Sequence, residues 1–311
     1  MNYRVDEIET FLTVMELGTV TATAARLNLS KSVVSKRISD FETRIGAALF
    51  RRNAGRIAPT DAAMRLAERL RPALNELIAA AESASWDTDG TTSLRGLLSI
   101  AAPMSFGLLH LSPIIADFAA RHPQLDLRVD YDDRARDLAR DGFDVGLRIG
   151  PLGDTALKAR RLCEDRLVAC AAPAYLARMG RPGHPGDLAG HDAIGYDNVS
   201  DSASWQLTRD GEVFTPTPRR RYSVNNGQAM RDMAEAGLGL AMLPGFLAAP
   251  ALADGRLERI LPDYSARPLP ITAVWPPVQP MPAKLRAFID HLRERLGASR
   301  PWQVPGEDQP G

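Results

Sequence analysis

The chain of 311 residues contains two cysteines, Cys163 and Cys170. So few thiols exclude a disulfide scaffold; such a pair is expected to be reduced and buried, because redox sensing needs an exposed thiol of low pKa. Long hydrophobic runs are missing too. The longest uncharged stretch, residues 236–253, is broken by Gly237, Gly239, Pro244, Gly245 and Pro250, which argues against a membrane span. The opening "MNYRVDEIETF" lacks the positive-then-apolar order of a signal peptide, so the expected location is the cytoplasm. Net charge is also lacking: 38 Lys plus Arg balance 38 Asp plus Glu, and overall charge therefore names no partner.

Catalytic constellations are equally scarce. The histidines, His110, His122, His184, His191 and His291, have no metal-like spacing with cysteine or acid. No Gly-x-Ser-x-Gly or Walker-type motif occurs, and "AGLGLAML" carries only two of the three glycines of a dinucleotide fingerprint. No catalytic residue, metal or cofactor is expected, and the chain is not expected to be an enzyme.

What is present is concentrated near the start. Apolar residues at Val5, Ile8, Phe11, Leu12 and Met15 predict a helix ending at Gly18. Thr21 is the expected cap of a short second helix containing Ala24, Ala25 and Leu27. A turn at Asn28 and Leu29 follows, and Ser30 then caps a third helix, which completes the outline of a helix-turn-helix. On that third helix, at about 100° per residue, Val34, Ile38, Phe41 and Ile45 share one side; Ser32, Ser35, Lys36 and Ser39 share the other. Short hydroxyls and a long cation can enter a major groove and bond base edges or phosphates. Arg26, Lys31, Lys36, Arg37, Arg44, Arg51, Arg52 and Arg56 meet only Asp40 and Glu42 as acids in the same stretch, a local excess inside a neutral chain.

The segment "AALFRRNAGRIAPT" reads as a wing. Beyond it Ala63, Ala67, Leu70, Leu74, Leu77, Ala81 and Ala84 form a heptad-like seam, expected to pair with another helix unless it packs on its own domain. Pro72 inside the seam predicts a kink. The polar stretch 85–93 reads as a hinge. From there, strand-like runs such as "LLSIAA", "LDLRVDY", "FDVGLRI", "RLVACAA" and "GLGLAMLP" alternate with helical runs at 108–120, 133–140 and 228–236, predicting an α/β domain with largely parallel sheets. Asp210-Gly211 marks a hairpin. A last helix at 282–296 precedes a Gly- and Pro-rich tail expected to be flexible.

Three strand exits in the α/β part are candidate ligand contacts. "SIAAPMSFGLLHL" places Ser105, followed by Phe106, at the expected N-cap of a helix, where a small carboxylate would suit the unpaired N–H groups. "LRIGPLGD" supplies Arg148 and Ile149, with Arg148 free to pair an anion or a surface acid. "SVNNGQAM" supplies Asn225 and Asn226 at another strand-to-helix junction, as caps, ligand contacts or both.

These segments resemble the LysR-type transcriptional regulators over nearly the whole chain. "FLTVMELGTVTATAARLNLSKSVVSKRISDFETRIGAALFRR" is similar to that family's winged helix-turn-helix. "APMSFGLLHLSPIIADF", "FDVGLRIGPL" and "NNGQAMRDMAEAGLGLAMLP" are similar to its effector half. The resemblance implies an α+β multidomain fold, with a two-lobed α/β, periplasmic-binding-protein-like (type 2) effector domain. It implies a recognition helix in the major groove of double-stranded operator DNA, homodimers through the linker helix, often homotetramers, and a small effector between the lobes. By position, Thr21 matches the second-helix cap, Lys31, Ser32, Ser35 and Lys36 match base- and phosphate-contacting residues, and Arg52 matches the wing cation; Arg37, Arg51 and Arg56 complete the DNA-binding set. Ser105 matches an effector-contacting Ser or Thr, with Phe106, Arg148, Ile149, Asn225 and Asn226 around it. Lys31-Ser32 stands where many members have Gln-Pro, Lys36 where Arg is common, and Ala62 or Ala63 where a Gly is usual.

The expected map is a DNA-binding domain at 1–60, a linker helix and hinge at 61–90, an effector domain at 91–298 and a tail at 299–311. The competing class is a small-molecule-binding protein or enzyme whose first domain mediates protein contacts.

Overall fold

The computed structural model describes residues 3–53, 56–84, 94–134, 136–199, 205–298 and 302, so the expected hinge at 85–93 lies outside the described residues. The chain divides into two compact units: Met1–Ser93 with Asp137–Asp144 and Pro276–Arg286, and Leu94–Arg136 with Val145–Trp275 and Ala287–Gly311.

The first unit begins with α1 (Val5–Leu17), stopped by Gly18, whose φ of 67° is the left-handed conformation that glycine adopts without strain. Helix α2 (Val20–Arg26) is capped by Thr19, which accepts from the Ala22 N–H at 3.1 Å, and not by Thr21, which lies exposed in the first turn. The expected cap was displaced by two residues because Thr19 has the extended backbone a cap needs. Helix α3 (Lys31–Ile45) starts as expected at Ser30, which accepts from the Val33 N–H at 3.3 Å, and ends at Gly46. Strands β1 (Phe50–Asn53) and β2 (Arg56–Pro59) pair antiparallel as the wing. Glu42 fixes the wing to α3: its Oε1 accepts from the N–H groups of Leu49 at 2.7 Å and Phe50 at 3.0 Å.

The core of this unit gathers Phe11, Val14, Val34, Ile38, Phe41 and Leu49, with the Phe11 and Phe41 rings 5.4 Å apart. Each such side chain contributes about 1.5–3 kcal/mol by leaving water. The same core takes Ala63 and Ala67 of α4 (Asp61–Ala84), and Leu70 and Leu74 pack against it. The first half of the seam therefore packs on its own domain, whereas Leu77 is 53% exposed. The helix continues through Pro72.

Strands β3 (Gly96–Ala102), β4 (Leu125–Tyr131) and β5 (Val145–Ile149) follow. A helical run joins the first two: α5 (Met104–Phe106), a π turn at Gly107–Leu111 and α6 (Ser112–Arg121). The helix expected at 133–140 is only α7 (Leu138–Asp141), capped by Asp137, and Asp133 lies in the preceding loop. Next come β6 (Lys158–Ala171), α8 (Pro173–Met179) and β7 (Asp192–Tyr196). The hairpin β8 (Leu207–Arg209) and β9 (Glu212–Phe214) turns at Asp210-Gly211, both with positive φ. β10 (Arg219–Val224), α9 (Gly227–Glu235), β11 (Leu240–Pro244) and α10 (Gly245–Ala253) precede β12 (Glu258–Arg259) and β13 (Ser265–Ala266). β14 (Pro268–Trp275) and α11 (Ala283–Ala298) close the order.

The strands run β10-β7-β11-β6-β14-β5-β3-β4, with β12 also on β6. The first half of β6 pairs with β14 and its last residues pair with β11 and β12, so this strand of 14 residues belongs to two half-sheets. Each half-sheet keeps parallel pairs, β3 with β4 and β5 in one, β7 with β10 and β11 in the other. The sheet is mixed rather than largely parallel, because the chain crosses from one lobe to the other in β6 and returns in β14, antiparallel to it.

Cys163 and Cys170 are buried and not disulfide-bonded. Burial pushes the Cys170 thiol up to about 12, the opposite of what redox sensing requires. The tail expectation is corrected at one residue: Trp302 is 4% exposed, its ring 4.6 Å from that of His110 and 5.6 Å from that of Phe106.

Candidate nucleic-acid interface and interlobe junction

The helical period of α3 separates two kinds of residue. Val34, Ile38 and Phe41 are buried, while Lys31, Ser32, Lys36 and Ser39 are exposed and Ser35 is half-buried. Ser32 shares a hydrogen bond of 2.8 Å with Ser30, which fixes its hydroxyl beside the helix start. Val33 is 39% exposed on the same end of the helix. Val33 was not among the residues expected from sequence; an exposed branched side chain beside hydroxyls is a group that can meet a thymine methyl.

Arg37, one of the cations expected to contact DNA, is engaged within the domain. Its Nη2 pairs with Asp6 Oδ2 at 3.2 Å and its Nη1 donates to Thr10 Oγ1 at 3.2 Å, so it ties α3 to α1. Three residues after Val34 it lies about 60° from the core direction, which delivers it to the neighbouring helix instead of the groove side. Arg44 is likewise paired, with Glu7 at 3.1 Å. Arg51 is exposed in the wing. In the wing register Arg52 stands opposite Ile57 and Arg56 opposite Asn53, and the side chains of both arginines lie outside the described residues.

In the second unit, the exits of β3, β4 and β10 converge. Ser105 is 4% exposed but is not a helix cap, since Pro103 occupies that position and Ser105 lies inside the first turn. Its Oγ accepts from Asn226 Nδ2 at 3.3 Å. The same amide nitrogen donates to Asp133 Oδ2 at 3.2 Å, and Asn226 Oδ1 caps α9 by accepting from the N–H groups of Gln228 at 3.0 Å and Ala229 at 3.1 Å. Asp133 Oδ1 in turn accepts from the Met104 N–H at 2.8 Å. The approach is close enough to require Gly227, where a Cβ would stand 3.5 Å from Ser105 Oγ and collide with Leu247. Tyr196 lies close enough to interact with Asp133, and Asn198 donates to Tyr196 Oη at 3.3 Å and to the Asn225 carbonyl at 2.6 Å.

Burial pushes the Asp133 carboxyl above its usual range and the Tyr196 hydroxyl up to about 12. Neither residue was among those expected from sequence. Asp133 was assigned to a helix, and Tyr196 ends a strand with no local motif to mark it.

The remaining expected contacts divide. Arg148 is half-buried, its Nη2 donating to the Arg136 carbonyl at 2.6 Å, and burial lowers its pKa. Ile149 is half-buried next to it, and alternation along β5 sends the two side chains to opposite faces of the sheet. Asn225 is exposed and contributes its carbonyl to the cluster. Phe106 is 0% exposed and turned into a ring cluster, 5.2 Å from Phe246, and so does not line the junction as expected. Ser105 faces the junction, so its immediate neighbour on the helix points elsewhere.

The description "Bacterial regulatory helix-turn-helix protein, lysR family" matches residues 5–64, and "LysR substrate binding domain" matches residues 91–297. The chain belongs to the LysR family of transcriptional regulators. It is 36% identical over 287 residues to the regulator PtxR of Pseudomonas aeruginosa, covering 92% of this chain and 91% of that one. The structure of CrgA, a LysR-type regulator from Neisseria meningitidis, is similar with a TM-score of 0.58 at 28% identity, over 95% of this chain and all (100%) of that one. The full-length Vibrio cholerae virulence activator AphB is similar with a TM-score of 0.57 at 26% identity, over 93% and 98% of the two chains. LysR-type regulators bind DNA through the helix-turn-helix and small effectors through the second domain, and they are not enzymes. Among the described residues of this LysR-type chain, no group of His, Cys, Asp and Glu could hold a metal, and no helix is long and apolar enough to cross a membrane.

Proposed function

We propose that this LysR-type regulator binds an operator sequence-specifically and that a small, carboxylate-bearing effector held between the two lobes modulates that binding in the cytoplasm. The observation that carries the DNA half is α3: the helix buries Val34, Ile38 and Phe41 and leaves Lys31, Ser32 and Lys36 exposed. In this reading Lys31, Ser32, Ser35 and Lys36 contact bases and phosphates, Thr21 contacts the backbone, and Arg51, Arg52 and Arg56 follow the groove from the wing. Ser105 and Asn226 contact the effector, and Arg148 supplies a cation nearby.

The exposed Leu77 lies on the part of α4 beyond the domain core, which supports pairing through this helix into a homodimer and, from two such pairs, a homotetramer. Residues 1–60 then carry DNA contacts, 61–90 the linker and hinge, 91–298 the effector site and 299–311 the tail. An effector that binds one interlobe geometry more tightly shifts its population and changes how paired helices meet two half-sites about one helical turn, or a multiple, apart.

The test is titration of the full chain with its own promoter fragment at several salt concentrations. Affinity is expected to fall steeply with salt, and Lys36→Ala to reduce it; affinity equal to that for random DNA refutes the reading. For the effector half, one small acid is expected to raise the melting temperature, and Ser105→Ala to reduce that rise.

A further inference from the structure

Asp133 holds a position that its neighbours do not explain. The β4 exit is pressed onto the helical run because Gly107 leaves room for the Tyr131 ring, where any Cβ would collide with it, and Tyr131 Oη and Ser112 Oγ share a hydrogen bond of 2.9 Å. The two acids just before it in the chain are matched with a cation: Arg136 pairs with Asp130 at 2.7 Å and with Asp132 at 3.1 Å. Among the described residues no Lys or Arg pairs with Asp133. Its carboxylate is held instead by two neutral donors, the Met104 N–H and Asn226 Nδ2, with the Tyr196 hydroxyl nearby. Met104 and Asp133 belong to one lobe, Asn226 and Tyr196 to the other, so one carboxylate joins the two half-sheets.

We propose that Asp133 is a resident occupant of the effector position, holding the donors that an acidic effector takes, and that the effector acts by displacing it. The inference rests on the reading of this junction as the effector site. The exchange conserves hydrogen bonds, because an incoming carboxylate accepts from the same donors. The expelled Asp133 regains water while the incoming carboxylate gives up its own, so the two desolvation costs offset and the ligand's further contacts decide the exchange. Asn226 Oδ1 goes on capping α9 throughout, so the helix start survives while the lobe-to-lobe bond through Nδ2 is handed to the ligand. Without effector the lobes are latched by the chain's own acid; with effector the latch runs through a molecule that can leave.

Chemical rescue in the full-length protein tests this. Asp133→Ala removes the carboxymethyl group and leaves its donors unmatched, so acetate is the probe, with chloride at equal ionic strength as the control. Acetate is expected to raise the melting temperature of Asp133→Ala by about 3 °C at roughly ten times its Kd. It should not move the wild type, where Asp133 fills the place, or Asp133→Asn, where an amide fills it. Equal rises in wild type and Asp133→Ala overturn the proposal while leaving an acid-binding site standing. No rise in any of the three overturns both the proposal and the acidic-effector reading. Methylammonium that stabilises the wild type but not Asp133→Ala also overturns it, because Asp133 then recruits a cation. If Asp133→Ala does not fold, Asp133→Ser leaves a similar vacancy and carries the same test.

Discussion

The outer face of α3 and the interlobe junction use polar residues in opposite ways. Lys31, Lys36 and Ser39 are exposed on a helix whose other side is core. At the junction Ser105, Asp133 and Asn226 are bonded to one another, with Tyr196 nearby. A surface meant for a large, highly charged partner can leave its donors in water at little cost, since solvent satisfies them. A site enclosed between lobes cannot, because an unmatched donor there costs about 1–3 kcal/mol. The first kind of site is therefore ready-made, and the second must be filled by the protein whenever a ligand does not fill it.

The contrast predicts that substitutions in the two regions separate stability from binding. The largest effect is expected from Phe41→Ala, which removes the ring on which the whole α3 face rests; a loss of about 3–5 kcal/mol follows from the cavity, read by thermal unfolding, with DNA binding lost in parallel. Asn226→Ala should cost about 1–2 kcal/mol, since it removes the α9 cap and the two bonds that this side chain makes to the other lobe, and it should leave the salt dependence of DNA binding unchanged. Lys36→Ala should do the reverse: no change in melting temperature, but a salt slope shallower by about one. A melting temperature lowered by Lys36→Ala would break the comparison.

A smaller effect sharpens it within α3 itself. Arg37 and Lys36 are adjacent cations, yet Arg37→Ala should lower stability by about 0.5–1 kcal/mol through loss of the Asp6 and Thr10 contacts and leave the salt slope alone. The smallest is a pH effect. Burial lowers the pKa of His110, so the folded chain keeps it neutral where the unfolded chain protonates it near the ordinary value of 6.5. Its contribution is full above that value and is lost as pH falls through the lowered one. His110→Phe should flatten the fall of melting temperature between about pH 7 and 5.

How much was legible in the sequence differs between the regions for the same reason. The helices and the buried side of α3 follow from spacings of three and four, which a helix converts directly into faces, and the Ser30 cap and the wing follow from local turn and cap residues. The contact of Arg37 with Asp6 was not legible, because spacing says which way a side chain points but not what waits there. In the second unit the strand exits at Ser105 and Asn226 were legible from strand-to-helix punctuation. Asp133 was not, because its role depends on partners 29 and 93 residues away. Trp302 was read as part of a flexible tail since composition cannot show that His110 and Phe106 receive its ring.

The sequence by itself determined that a helix with one buried and one exposed polar side stands near the start of the chain, because amphipathicity is local and one helix turn is enough to sort core from surface. The tertiary structure decided what the second unit's polar residues do, because only the folding of β6 and β14 into two half-sheets brings Asp133, Asn226 and Ser105 within hydrogen-bond reach of one another.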